Sequence, residues 1–281
     1  MTRLGILHPG EMGISIAASA LHGLPAVYWC SEGRSSATRQ RAEKYGLTEI
    51  SSLQDFCLHC DIIVAVCPPH SAKEQSIAVI NAGFRGIYVD ANAIAPATVR
   101  EIAASMQHKG ISFVDGGIIG LPAWQPASTW LYLSGTDAEQ VAECFSSGPL
   151  ETEVLGEEIG QASALKLCYA AWNKGKTALL TTILAAADSQ GVKAALEKQW
   201  DMQEPGFSEA TAKRICTVAR KAWRFGGEME EIEAMLAAEN APSAFFAGAA
   251  QVYSRQSDYK DVPDLPDLTT LLQAVRQARD S

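Results

Sequence analysis

Gly5–Gly13, read as GILHPGEMG, decides how the rest of the chain is understood. A short apolar run, Leu4, Ile6 and Leu7, meets a glycine-containing turn. A helix-forming stretch of small residues follows, Ile14 to Leu21. Strand, turn and helix in that order form a dinucleotide cradle, because the backbone N–H groups that open the helix can face a pyrophosphate. Gly10 permits close backbone approach and Gly13 permits helix–strand packing, as the second and third glycines of G-x-G-x-x-G do. The first glycine is replaced by His8-Pro9, where Pro9 fixes φ and can hold the turn by itself. His8, Pro9, Gly10, Glu11 and Met12 are therefore the first candidate cofactor residues.

Working outward, the first half alternates strand-like and helical runs. Strands are predicted at Leu4–Leu7, Ala26–Trp29, Ile62–Val66, Gly86–Asp90, Ser112–Val114 and Trp130–Leu133. Helices are predicted at Ser15–Leu21, Ala37–Tyr45, Leu53–Leu58, Ala72–Ala82 and Ala97–His108. This alternation predicts an α/β Rossmann-type, doubly wound parallel sheet, and the almost unbroken apolar strands fit a sheet covered on both faces. Beyond about residue 158 the chain becomes alanine-rich and helical. One long helix is expected over Gln161–Gln190, stopped by Gly191, and others over Gly191–Gln199, Ser208–Trp223, Glu228–Glu239 and Ser243–Arg255. Two domains are expected: 1–158 binding the dinucleotide, and 159–281, all-helical, for substrate and dimerisation.

Bulk composition narrows the partners. With 281 residues, 47% hydrophobic, the chain can build a sizeable core, and its net charge of −9 argues against nucleic acid. No apolar run reaches bilayer length and no long apolar segment opens the chain, so a cytoplasmic protein without membrane contact is expected. The seven cysteines are an odd number and lie mostly in apolar segments, which suits reduced thiols. Cys57-Leu58-His59-Cys60 has metal-like spacing but no second pair, and no metal is expected.

The end of the second strand bears on the choice of nucleotide. Glu32 could bond a ribose 2′-hydroxyl, as in NAD-preferring proteins. Arg34, with Ser31, Ser35 and Ser36, better suits a 2′-phosphate, which calls for a cation and hydroxyl donors. NADP(H) is the preferred expectation and NAD(H) the alternative.

These motifs together resemble the β-hydroxyacid dehydrogenase superfamily, related to 6-phosphogluconate dehydrogenase, in a branch with a DUF1932-type C-terminal domain. The carriers are HPGEMG, SEGRSSATRQRA, CPPH (Cys67–His70), VDANAIAPAT (Val89–Thr98), FVDGGIIGLP (Phe113–Pro122), ASALKLCYAAWNKG (Ala162–Gly175) and KAWRFGGEMEEIE (Lys221–Glu233). The resemblance implies that Cys67, Pro68 and Pro69 line the cofactor and that Asn92 lies on its nicotinamide side. It aligns Asp115–Gly120 with the substrate-binding motif D-A-P-V-S-G-G, making Gly117, Ile118, Ile119 and Gly120 substrate residues. Lys166 aligns with the catalytic lysine. Two departures stand out: Ile119 stands where a serine would, and the asparagine one turn after the lysine is absent, with Tyr169 and Ala170 in those places.

Within the expected helix, Lys166, Asn173, Thr177 and Thr181 fall in one stripe about 80° wide at ~100° per residue. A lysine among apolar neighbours is expected to have a lowered pKa, suited to proton transfer, and Asn173 could supply the missing amide. Trp223 and Glu228 are candidates for closing the site, across a homodimer, although the spacing of Trp223, Met229 and Ile232 equally suits a core. The expected function is NADP-dependent hydride transfer on a small hydroxy or carbonyl compound, with Lys166 and Asn173 catalytic. The alternatives are an imine reductase, with Tyr169 near the lysine position, and a silent cofactor-binding scaffold.

Overall fold

A computed structural model describes residues 2–260 and 262–277. The chain divides into two units, 1–167 and 168–281. The first unit holds eight strands: β1 Leu4–Ile6, β2 Val27–Cys30, β3 Thr48–Ile50, β4 Ile62–Ala65, β5 Ile87–Asp90, β6 Ser112–Gly120, β7 Thr129–Ser134 and β8 Glu151–Gly156. Its helices are α1 Glu11–Ala20, α2 Ser36–Lys44, α3 Leu53–His59, α4 Ala72–Asn81, α5 Pro96–His108 and α6 Ala138–Glu143. The strands form one sheet in the order β3-β2-β1-β4-β5-β6-β7-β8. β1 to β6 are mutually parallel, β7 runs antiparallel to β6, and β8 runs parallel to β7.

Two apolar clusters show why the sheet is doubly wound. Alternate residues of β4 separate them, with Ile62 and Val64 on one face and Ile63 and Ala65 on the other. The first face packs Ile14, Ile16 and Ala17 of α1 with Val141 of α6. The second packs Phe56 of α3, Val79 of α4 and Val99, Ile102 and Met106 of α5. Both faces of the strands are thus dry, as their unbroken apolar runs require.

Three strands depart from the sequence expectation, and α6 was not foreseen either. β3 and β8 were not foreseen: β3 is a three-residue edge strand with two exposed positions, and β8 alternates weakly, so neither carries a strong period-two signal. β6 continues six residues past Val114 to Gly120, through glycines that read as a loop. Glycine inside a strand marks a close approach, and here two such approaches exist. A Cβ on Gly116 would lie 3.1 Å from the Asp90 carbonyl oxygen, and one on Gly117 would lie 2.4 Å from that of Ala162.

The expected helix Gln161–Gln190 is also interrupted. It is α-helical over Gln161–Ala170 (α7), π-helical over Ala171–Gly175, and α-helical again over Lys176–Ser189 (α8), before Gly191 with φ +68°. An i→i+5 turn resets the facing of everything after it, so a wheel drawn straight through 161–190 no longer applies. The stripe of Lys166, Asn173, Thr177 and Thr181 presumes an unbroken α-helix; Lys166 falls on α7, Asn173 in the π turn, and only Thr177 and Thr181 share one helix, α8.

The second unit is helical throughout its described residues: α8, α9 Lys193–Gln203, α10 Phe207–Ala219, α11 Ala222–Ala238, α12 Ala244–Ser254 and α13 Leu268–Arg276. Met229, Ile232, Tyr253, Leu271 and Leu272 are buried in it. Residues 261 and 278–281 of the expected helical domain lie outside the described residues. No described helix is long and apolar enough to cross a membrane.

Candidate functional site

In the order β3-β2-β1-β4-β5-β6, the chain reverses direction across the sheet between β1 and β4, and the crevice outside their carboxyl ends is where such sheets bind nucleotides. The loop His8–Gly10 leaves β1 at that point. Gly10 is the residue before α1, and among the described residues no side-chain cap bond is made there. A Cβ on Gly10 would meet nothing within 4 Å, whereas one on Gly13 would sit 2.1 Å from the His8 carbonyl oxygen. Gly13 is therefore required by packing inside the protein, and Gly10 keeps space open outside it. Pro9 is buried, and its carbonyl accepts a hydrogen bond from Arg41 Nη1 at 3.2 Å. Glu11 is exposed and Met12 half-buried at the first turn. His8 Nδ1 is buried without a partner. Burial, aided by the Arg34 charge, pushes the imidazole down to about 4, so it is neutral at physiological pH.

At the end of β2, Ser31 is buried and its carbonyl accepts from the Arg34 N–H at 3.1 Å. Arg34 Nε is buried with no partner. Ser35 caps α2, accepting from the Thr38 N–H at 3.3 Å. Glu32 is engaged elsewhere: its carboxylate accepts the Leu53 N–H at 2.6 Å, at the start of α3. Arg41, which braces the turn through Pro9, escaped the sequence reading because it is one of three cations on α2, with Arg39 and Lys44, and nothing in its spacing singles it out.

Beyond β4, the Cys67 N–H donates to Asn92 Oδ1 at 2.6 Å, and the Asn92 N–H donates to Asp90 Oδ1 at 3.0 Å. The loops after β4 and β5 are thereby locked together. Asn92 is 2% exposed, and its Nδ2 has no partner. Burial pushes the Cys67 thiol up to about 12, which leaves it protonated and unreactive. Pro68 is exposed, and Pro69 opens a short 3-10 turn leading into α4. Asp90, fully buried, is pushed up to about 7 by desolvation, with the neighbouring Asp115 acting in the same direction.

Pairing of β6 with β5 stops at Asp90↔Asp115, while pairing with β7 continues to Gly120↔Thr129. One edge of Gly116–Gly120 thus has no strand beside it among the described residues. Gly117 lies against α7, where its Cβ would also come 3.1 Å from Lys166 Cβ. Lys166 is half-buried. Ile118 belongs to the core, Ile119 is half-buried and Gly120 is exposed with φ +133°. Asp115 is fully buried: its carboxylate accepts from the Gly160 and Ser163 N–H groups, both at 3.0 Å. It also accepts from the Ser163 hydroxyl at 2.5 Å and the Ser134 hydroxyl at 3.2 Å.

The remaining candidates lie in the second unit. Asn173 sits inside the π turn, its Nδ2 donating to the Tyr169 carbonyl at 3.2 Å. Arg214 braces that turn, donating to the Asn173 carbonyl at 2.9 Å and to Thr177 Oγ1 at 2.8 Å. Glu228 is buried in an ion pair with Lys174, whose ammonium lies 4.2 Å from the centre of the Phe225 ring. Met229 and Ile232 are core residues, but Trp223 is 42% exposed, with the Lys260 ammonium over its ring.

An uncapped helix start at the switch point, a void beside Gly10, and unpaired donors on Arg34 and Asn92 fit a nucleotide with phosphates and a carboxamide. Fold and site define a dinucleotide-binding oxidoreductase domain. The chain belongs to the family described as the NAD binding domain of 6-phosphogluconate dehydrogenase, which matches residues 3–146, and with it to the NAD(P)-dependent dehydrogenases. Residues 187–256 match the domain of unknown function DUF1932. Among solved structures, a conserved protein of unknown function with structural similarity to 3-hydroxyacid dehydrogenases is 30% identical, with TM-score 0.70 over 92% of this chain and 97% of that one. The 3-hydroxyisobutyrate dehydrogenase of Mycobacterium tuberculosis, solved with L-serine, is 16% identical with TM-score 0.73 over 99% and 100% of the two chains. A reductive aminase from Aspergillus terreus, solved with NADPH, is 17% identical with TM-score 0.57 over 98% and 100%. The last two share the fold.

Proposed function

We propose that the chain is an NADP(H)-dependent oxidoreductase acting on a small hydroxy or carbonyl compound, with Lys166 as the acid–base. The observation that carries this is the placement of Lys166 against Gly117, in the same unit as the cradle and at the carboxyl end of the sheet. Bound cofactor supplies or accepts the hydride at the substrate carbon. In oxidation the Lys166 amine takes the substrate hydroxyl proton, and in reduction its ammonium returns it. Asn92 Nδ2 is the donor available to a carboxamide, and the open edge of Gly116–Gly120 offers backbone groups where the serine is lost.

Preference for the 2′-phosphate is supported by Arg34, whose Nε is unpaired, and by Glu32, whose carboxylate is committed to Leu53. The helical unit is proposed as the substrate and dimerisation domain of a homodimeric, cytoplasmic enzyme. Trp172, Leu179 and Ile183 are exposed along it, apolar surface that a second copy would cover. Imine reduction is the second reading, favoured by Tyr169, which is 48% exposed one turn after Lys166.

The test is a fluorescence titration with NADPH and NADH, followed by a panel of β-hydroxy acids, carbonyl compounds and cyclic imines. NADPH should bind at least tenfold more tightly than NADH, and Arg34→Ala should remove most of that margin. Lys166→Ala should lower turnover by about 10²–10⁴-fold with cofactor binding intact. Undiminished turnover would sink the lysine, and binding without turnover across the whole panel would make the protein a scaffold.

A further inference from the structure

Helix α7, which carries Lys166, has no cap of its own. The residue before it is Gly160, at φ +105°, without a side chain to accept the first N–H groups. Those groups would be orphaned at a buried helix start. The sheet takes them instead. The Gly160 and Ser163 N–H groups go to the Asp115 carboxylate on β6, and the Ala162 N–H goes to the Ser134 hydroxyl on β7 at 3.3 Å. Ser134 in turn donates to Asp115, and the Ser163 hydroxyl donates to its other oxygen. An anion thus stands at the positive end of the helix, bonded to both strands beneath it. Two residues along β6 from that carboxylate is Gly117, and one turn along α7 from Ser163 is Lys166, the two that meet at van der Waals range.

We propose that Asp115 is a positioning residue, a cap supplied by the sheet that fixes α7 so that Lys166 is held over the open edge of β6. The proposal rests on the reading of Lys166 as the acid–base. Ser163 is the second half of the latch, because its hydroxyl and N–H grip both carboxylate oxygens. Removing the latch frees the first turn of α7 and lets the lysine stray from the substrate position, while the cradle at α1 is untouched. Displacements on the scale of 1 Å are enough to cost turnover heavily.

The full-length protein is compared as wild type, Asp115→Asn, Ser163→Ala and Ser163→Thr. Hydrogen exchange by mass spectrometry should speed at least tenfold over residues 160–166 in Asp115→Asn and stay unchanged over 11–20. NADPH affinity should stay within twofold. On the best substrate from the panel, kcat should fall at least 30-fold with KM for NADPH unchanged. Ser163→Ala should lie between wild type and Asp115→Asn, and Ser163→Thr, which keeps the hydroxyl, should restore turnover. Unchanged exchange at 160–166 overturns the latch. So does a joint loss of NADPH affinity and turnover, which marks a carboxylate that only stabilises the fold. Should Asp115→Asn fail to fold, the Ser163 pair decides by the same readouts. Lys166→Ala separates the two ideas: if it leaves turnover intact while Asp115→Asn still loosens α7, the acid–base reading falls and the cap stands.

Discussion

Two helices of the first unit begin in the same way and end up with opposite tasks. α1 and α7 are each preceded by a glycine, Gly10 and Gly160, and neither has a local side-chain cap. At α7 the orphan N–H groups are answered from inside by Asp115 and Ser134. At α1 no side-chain cap bond is found among the described residues, and the space next to Gly10 is open. A helix start that the protein fills with its own anion is a structural joint. One left open at the switch point is suited to the anion of a ligand. The comparison can be broken by closing the open end or by changing the charges around the closed one.

The largest effect is expected at α1. Gly13→Ala would drive a methyl to 2.1 Å from the His8 carbonyl oxygen, a backbone atom that cannot step aside. Helix and strand must separate, at a cost of about 4 kcal/mol or more, beyond ordinary overpacking. Gly10→Ala meets nothing in the protein and should leave stability within about 0.5 kcal/mol. Its methyl instead enters the open space beside the start of α1, which is proposed to take the phosphate, so NADPH affinity should fall at least tenfold. Urea unfolding and cofactor titration of both variants check the pair. A stable Gly13→Ala protein, or Gly10→Ala with wild-type affinity, would show that the two glycines have been given the wrong roles.

The glycine contrast was already legible in HPGEMG, and so was the doubly wound sheet, because both depend on local spacing and on apolar runs. The latch was not. Asp115 and Ser163 are 48 residues apart, and their meeting depends on β6 lying under α7, which no periodicity encodes. The strand character of Gly116–Gly120 was hidden for a related reason, since glycines that admit another backbone look like a turn when read singly. Nor could spacing reveal that Asn173 sits in a π turn, because the α-helical wheel assumes the geometry that this turn breaks.

Charge beside the latch gives the next effect. Asp90 pairs directly with Asp115 across β5 and β6, yet it receives one N–H where Asp115 receives four donors. Asp90 is the poorer place for a negative charge, and its pKa rises from 3.8 to about 7 in the fold. Between those values the folded state holds a proton that the unfolded state has released. Stability from this group is therefore complete below about pH 4, falls as pH rises towards 7, and is flat above. Asp90→Asn keeps an acceptor for the Asn92 N–H and removes the titration. Its stability relative to wild type should climb by roughly 3 kcal/mol between pH 4 and pH 8. Parallel curves for the two proteins in urea unfolding would show that Asp90 ionises at no cost in the fold.

The smallest effect concerns a third helix start, and it sharpens the comparison most. α3 has a cap of its own, the Ser52 hydroxyl accepting from the Asp55 N–H at 3.0 Å, and takes Glu32 at the protein surface for its first N–H as well. Because Ser52 still caps the helix, Glu32→Ala should cost about 0.5 kcal/mol, the low end of the range for a cap. The loss should appear as a lower urea midpoint. Because Glu32 is spent on α3, neither NADH nor NADPH affinity should change by more than twofold. Were the carboxylate instead a partner for a ribose 2′-hydroxyl, NADH binding would weaken severalfold and NADPH binding would not. That outcome would transfer Glu32 from the helix to the nucleotide and reverse the cofactor preference drawn from Arg34.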